Sequence, residues 1–141
     1  MSRAALVSAL SVVVLSACYG PKGSPEGTIK SFFSAAESHN FEAMAEMLHS
    51  SSRSKLGSIE QIAAFYEDTY GFTTDIDLDI IDSRMIKEDD EAVVQFKCTV
   101  WFRQRGQMEK KAGCSDTYSL KYDDGKWYVV LPETQRLRPT L

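Results

Sequence analysis

Apolar residues recur at Ile29, Phe32, Phe33 and Ala36, a spacing of i, i+3, i+4 and i+7 that lines them up on one helical stripe. Ser24 precedes that stripe as an N-cap, Pro25 suits the first helical position, and Glu26 lies in the first turn. Asn40 can cap a second, shorter helix, "FEAMAEMLH", with Met44, Met47 and Leu48 on one side. "SSSRSKLG" reads as a polar loop. Ser58 and Gln61 then have the spacing of a capping box. They open a third helix striped by Ile62, Phe65, Tyr66 and Thr69, with Gly71 as its stop.

From Thr73 the period falls to two. Ile76, Leu78 and Ile80 point one way and Asp75, Asp77 and Asp79 the other, the pattern of a half-buried strand. A second strand puts Ala92, Val94, Phe96, Cys98, Val100 and Phe102 on one face. A third aligns Met108, Cys114, Tyr118, Leu120 and Tyr122. Asp124-Gly125 is a strong two-residue hairpin signal leading into "KWYVVL". That turn predicts the pairs Asp123–Lys126, Tyr122–Trp127 and Leu120–Val129, apolar against apolar on the shared face. Helices followed by a meander of antiparallel strands predict an α+β fold, with the helices packed on one face of a curved sheet.

The segment before the first helix changes where such a domain resides. Arg3 is followed by the apolar run Ala4–Leu15, long enough for a signal h-region and short of the roughly 20 residues of a membrane span. Leu15-Ser16-Ala17-Cys18 resembles the bacterial lipobox, which implies a signal peptide over 1–17, cleavage before Cys18 and a diacylglyceryl thioether on its sulfur. Two or more acyl chains anchor stably where one does not. The expectation is a lipidated tether over 18–23, a domain over 24–141, and attachment to the bacterial envelope without spanning it. Tyr19 is not the Asp that the enterobacterial sorting rule reads as inner-membrane retention, so the outer membrane, facing the periplasm, is the expected address.

Processing would leave 124 of the 141 residues, and loss of Arg3 takes the formal charge from −4 to −5. An acidic chain without a basic cluster argues against a nucleic-acid partner. In an oxidising compartment the two remaining cysteines, Cys98 and Cys114, are expected to pair. A symmetric hairpin turning about Gly106 sets them directly opposite on one face, about 4.5–5.5 Å apart at Cα and within disulfide range.

Most candidate chemistry fails on spacing. Asp75, Asp77 and Asp79 begin like a calcium loop, but Ile80 and Ile86 stand where Gly and Glu are needed. Leu131 to Gln135 lacks the Gly of a sortase signal. His39 and His49 flank the second helix without metal-ligand spacing and read as surface residues, so neither a metal nor a cofactor is implied. On the inward sheet face, Asp116 shares the parity of Cys114 and Tyr118, where a carboxylate could serve as a base. An apolar pocket is expected from Phe32, Phe33, Phe96, Val100, Tyr118 and Trp127. On the outward face Val93, Trp101, Tyr128 and Val130 contribute an apolar patch suited to a protein partner or a sheet-to-sheet homodimer.

Pro25-Glu26, Asn40-Phe41-Glu42 and Asp124-Gly125-Lys126-Trp127, in that order and spacing, resemble small bacterial lipoproteins of the nuclear transport factor 2-like, or cystatin-like, superfamily. The resemblance covers nearly all of the chain after Cys18 and implies a conical fold whose sheet and helices enclose a pocket. Some relatives, such as ketosteroid isomerase and scytalone dehydratase, are enzymes, while others only bind, so fold does not decide function. Two readings follow. One is a lipid-anchored, non-catalytic module for a small apolar ligand or an envelope protein. The other is an isomerase- or dehydratase-like enzyme using Asp116 and Tyr118.

Overall fold

The computed structural model describes residues 23–87 and 90–132. The expected signal peptide and Cys18 lie outside the described residues.

Helix α1 (Pro25–Glu37) starts as its sequence dictates: the Ser24 hydroxyl accepts from the Gly27 N–H at 3.0 Å, and Pro25 occupies the first turn. It stops without glycine. Asn40 N–H donates to the Ala35 carbonyl at 2.8 Å and His39 N–H to the Ala36 carbonyl at 3.1 Å, the Schellman pattern, with His39 at φ 60°. His39 Nε2 also donates to the Thr73 carbonyl at 2.8 Å, which ties the end of α1 to the first strand. Asn40 caps α2 (Phe41–Glu46) as expected, its side chain accepting from Ala43 N–H.

The stretch expected to be a polar loop is instead a helix, α3 (Ser50–Leu56). Its N-cap is His49, a residue with weak capping preference, whose Nδ1 accepts from the Ser51 N–H at 3.2 Å. With Nδ1 the acceptor, Nε2 carries the proton and donates to Asp123 Oδ2 at 3.2 Å. Ser52 is buried, and its hydroxyl accepts from Leu131 N–H at 3.0 Å, so α3 fastens the end of the last strand. His39 lies on the outside, as expected, whereas the His49 side chain is only 13% accessible, and each histidine connects two elements. Helix α4 (Ile59–Tyr70) has both bonds of the predicted Ser58–Gln61 capping box. Gly71 ends it at φ −61°, so no left-handed residue is involved. Glycine is needed there because a Cβ would stand 2.5 Å from the Glu67 carbonyl oxygen.

The strands β1 (Thr73–Lys87), β2 (Glu91–Phe102), β3 (Lys110–Asp123) and β4 (Lys126–Val130) form one antiparallel sheet in sequential order. The three pairs predicted for the last hairpin are present, with Asp124 and Gly125 both at positive φ. Cys98 faces Cys114 and the two are joined, Cα to Cα 4.9 Å, across a hairpin whose turn contains Gly106 at φ 79°. Met108 does not belong to the third strand; it lies in the turn, 86% exposed. Register shifts on either side of Ile81 and Ile86 let β1 continue far past the alternating Asp/Ile segment.

The helices bury one end of the sheet. Ile29, Phe32, Met44, Leu48 and Ile62 are wholly inaccessible beneath them, as are Val94 and Val129 on the strands. A backbone link seals the seam, with His49 N–H donating to the Val129 carbonyl and Val129 N–H to the Met47 carbonyl at 2.8 and 2.9 Å. At the other end of the β2–β3 hairpin no such cover exists: Cys114 and Asp116 are exposed although their parity is inward.

Candidate functional site

The inner face of the cone is aromatic because α1, α4, β2 and β3 each direct rings into one volume. Phe33 meets Phe96 at 5.1 Å between ring centroids, and Phe96 meets Tyr118 edge-on at 5.0 Å. Phe32 makes edge contacts with Phe33, Tyr66 and Tyr118 at 5.5, 5.6 and 6.2 Å. These are favourable aromatic separations, and the rings fill the space between helices and sheet. The expected pocket residues therefore divide. Phe32, Phe33, Phe96 and Tyr118 converge on this cluster. Val100 sits four residues beyond Phe96 on β2, about 13 Å along the strand, paired with Ile76 and Ala112 and half-buried. Trp127 packs edge-on against Tyr122 at 5.3 Å and lines a separate groove of about 440 Å³ with Gly27, Ser31 and Met47.

Three tyrosines close the rim of this cluster. Tyr66 stacks on Tyr70 at 6.3 Å, and Tyr118 faces both through its electrostatic field. Burial pushes the phenols of Tyr66, Tyr70 and Tyr118 above their ordinary value. Mutual repulsion of their anions adds to this for Tyr66 and Tyr118, and the Asp116 carboxylate adds to it for Tyr70 and Tyr118. The sign for stability follows. Below about pH 10 all three are neutral in both states and their contribution is fully present. Above it the unfolded phenols ionise first, so the unfolded state binds fewer protons and stability falls as pH rises. Urea midpoints measured from pH 8 to 12 should drop steeply beyond pH 10, and Tyr118→Phe should flatten the drop. An unchanged alkaline limb in that variant would contradict the burial of its hydroxyl.

Asp116 occupies the rim, opposite Phe96 in register, but is exposed rather than enclosed. Its Oδ1 accepts from the adjacent Thr117 N–H at 2.7 Å. Parity alone put it on the inward face; that the helices stop short of it is a matter of tertiary cover. What it can offer chemically is a solvated carboxylate beside neutral phenols. Among the described residues, no group of three or more His, Cys, Asp or Glu is arranged to hold a metal ion. No helix among them is long and apolar enough to cross a membrane.

A second concavity, unanticipated from sequence, lies behind α3. His49, Arg53, Asp123, Asp124 and Tyr128 line a cleft of about 490 Å³. Arg53 Nε is buried there without a hydrogen-bond partner among the described residues. The only hint in the sequence was the Asp-Gly turn, which predicts where Asp123 and Asp124 fall but not what faces them.

The four outward apolar residues do not form one patch. Val93 and Val130 both flank Ser119, and Tyr128 lies beside them opposite Lys121. Trp101 is eight residues along β2 from Val93, roughly 26 Å away, between Asp75 and Lys111.

No protein-family model matches the chain, and no curated protein sequence matches it either. Solved structures do share its fold. A ketosteroid isomerase-like protein from Erwinia carotovora atroseptica is similar at a TM-score of 0.61 and 13% identity, over 74% of this chain and 86% of that one. A nuclear transport factor 2-like superfamily protein from Salmonella enterica aligns at 0.55 and 13% identity, over 72% and 80%. A nuclear transport factor 2-like protein with a cystatin-like fold from Novosphingobium aromaticivorans aligns at 0.52 and 13% identity, over 91% and 94%. The chain has the nuclear transport factor 2-like, cystatin-like α+β fold expected from its motifs. At these identities the likeness is one of fold.

Proposed function

We propose that this chain is a lipid-anchored, non-catalytic binding module of the bacterial envelope, held through Cys18 at the periplasmic side of the outer membrane. One observation carries the non-catalytic part: Phe32, Phe33, Phe96, Tyr66 and Tyr118 pack ring against ring between helices and sheet, where the family resemblance implies a pocket. A solvated Asp116 supports the same reading, because a general base gains from partial desolvation beside its substrate. With the interior filled, recognition falls to the surface. The Val93–Ser119–Val130 row with Tyr128 suits a protein partner, and the groove under Trp127 suits a small apolar ligand. The anchor rests on the order signal, small residues, Cys18 and polar tether.

The alternative, an isomerase- or dehydratase-like enzyme, keeps one supporting observation: Asp116 and Tyr118 are electrostatic neighbours on a fold shared with an isomerase-like protein. The two readings separate on variants of protein purified from detergent-solubilised envelopes, followed by mass spectrometry of bound proteins and small molecules. For a binding module, Val93→Glu or Val130→Glu reduces partner recovery at unchanged melting temperature, and Asp116→Asn leaves it intact. Loss of function in Asp116→Asn with the fold preserved would establish the enzyme instead. Intact mass of the wild type should show acyl chains on Cys18; an unmodified cysteine would overturn the anchor.

A further inference from the structure

The β1 edge of the sheet is treated differently along its length. In its first half, Asp75, Asp77 and Asp79 line the outer face, and the Glu37 carboxylate accepts from the outward-turned Ile76 N–H at 3.1 Å. Both features discourage another strand from pairing there. The second half carries three of the most exposed large apolar side chains, Ile81, Met85 and Ile86, at 50, 51 and 60%. Its sequence, Asp79-Ile-Ile-Asp-Ser-Arg-Met-Ile-Lys87, is chemically self-complementary about Ser83.

We infer that two copies of this chain pair antiparallel through this half of β1, across a two-fold axis at Ser83. In that register Ser83 meets its symmetry mate, Asp82 meets Arg84, Ile81 meets Met85, Ile80 meets Ile86 and Asp79 meets Lys87. Every charge faces its opposite and every apolar residue an apolar one, which is the requirement of an isologous interface. Asp82 and Ser83 follow the first register shift and Arg84 and Met85 precede the second, so the central pairs come from a stretch that is regular against β2. Alternation from Ile76 through the first shift turns the Ser83 and Met85 backbone groups outward, so the pairing has donors and acceptors to use. The shifts bend and twist the strand on either side and confine the pairing to this segment. Within one chain Arg84 Nε already lies 3.2 Å from Asp82 Oδ2, with both side chains largely in solvent, so each is free to turn to the partner copy. This interface differs from the sheet-face contact through Val93 and Val130, and it does not depend on the anchor.

The test is charge exchange in the full processed protein, followed by sedimentation equilibrium. Asp82→Arg or Arg84→Asp alone places like charges opposite each other twice across the axis and should weaken dimerisation about tenfold or more. The double exchange Asp82→Arg with Arg84→Asp should restore it, which a misfolded variant could not do. Ser83→Cys should give a disulfide-linked dimer under mild oxidation, since opposed Cα atoms in such a pair are about 5.5 Å apart. Asp77→Cys on the same strand should not. Monomers at every concentration, or a double exchange that leaves the weakening in place, would overturn the pairing.

Discussion

Replacing Phe32 by alanine is expected to lower the stability of the fold by about 3–5 kcal/mol, the range for a large aromatic removed from a core that cannot collapse around the loss. The side chain has no accessible surface. Its contacts radiate to three elements: Phe33 on its own helix, Tyr66 on α4 and Tyr118 on β3. No single neighbour can move in without leaving another ring unsupported. For a domain of this size the change corresponds to a fall in Tm of roughly 12–20 °C. Urea denaturation should show a lower midpoint with an unchanged slope, the signature of lost stability without a change in compactness. Phe32→Leu should recover most of the loss. If the alanine variant cost less than about 1 kcal/mol, a surface-like effect, then α1 would not be docked as described and the filled interior would lose its support.

The same cluster shows how far residues alone reach. Helical spacing identified Phe32, Phe33, Tyr66 and Ile62 as inward because period and burial coincide wherever a helix lies on a sheet. The Asp124-Gly125 turn fixed the register of β3 and β4 because only one pairing keeps Tyr122 against Trp127 and Leu120 against Val129. The opposition of Cys98 and Cys114 followed from symmetry about Gly106. Each of these rests on contacts close in sequence or on strict periodicity.

What escaped depends on contacts remote in sequence. Four serines in "SSSRSKL" suggest a loop, yet they form α3 because His49 caps the helix while bonded to Asp123, and Ser52 bonds to Leu131. Neither partner is predictable from local composition. Parity placed Asp116 and Val100 on the inner face correctly, but parity says nothing about how far the helices extend over it. Residues that share a face can therefore be buried, as Phe96 is, or open to water, as Asp116 is. The register shifts near Ile81 and Ile86 carry no glycine, so nothing in the sequence marked them. The self-complementarity of residues 79–87 became meaningful only once β1 proved to be a sheet edge.

Removal of the Cys98–Cys114 disulfide is the other change expected to have a large effect. Fifteen residues lie between the two cysteines, and closing a loop of that length in the unfolded chain corresponds to roughly 3 kcal/mol in chain-entropy terms. In a domain of this size that is about 12 °C in Tm. The bond sits where the core thins out: Cys98 is 6% exposed, but Cys114 and Asp116 are exposed, and the helices do not reach over this part of β3. It takes the place of the apolar cover that the opposite end of the hairpin receives from α1 and α4. Its loss should therefore be felt locally as well as globally. In the Cys98→Ser/Cys114→Ser variant, hydrogen exchange should accelerate most for the amides of residues 98–114. The amides around Leu120 and Val129, beneath the helices, should change only by the global loss. Uniform acceleration across both regions would mean that the cross-link acts on the unfolded chain alone. Unchanged exchange and an unchanged midpoint would mean that the distal hairpin holds itself together through its backbone ladder, and that the cysteines contribute nothing beyond a pair of small apolar side chains.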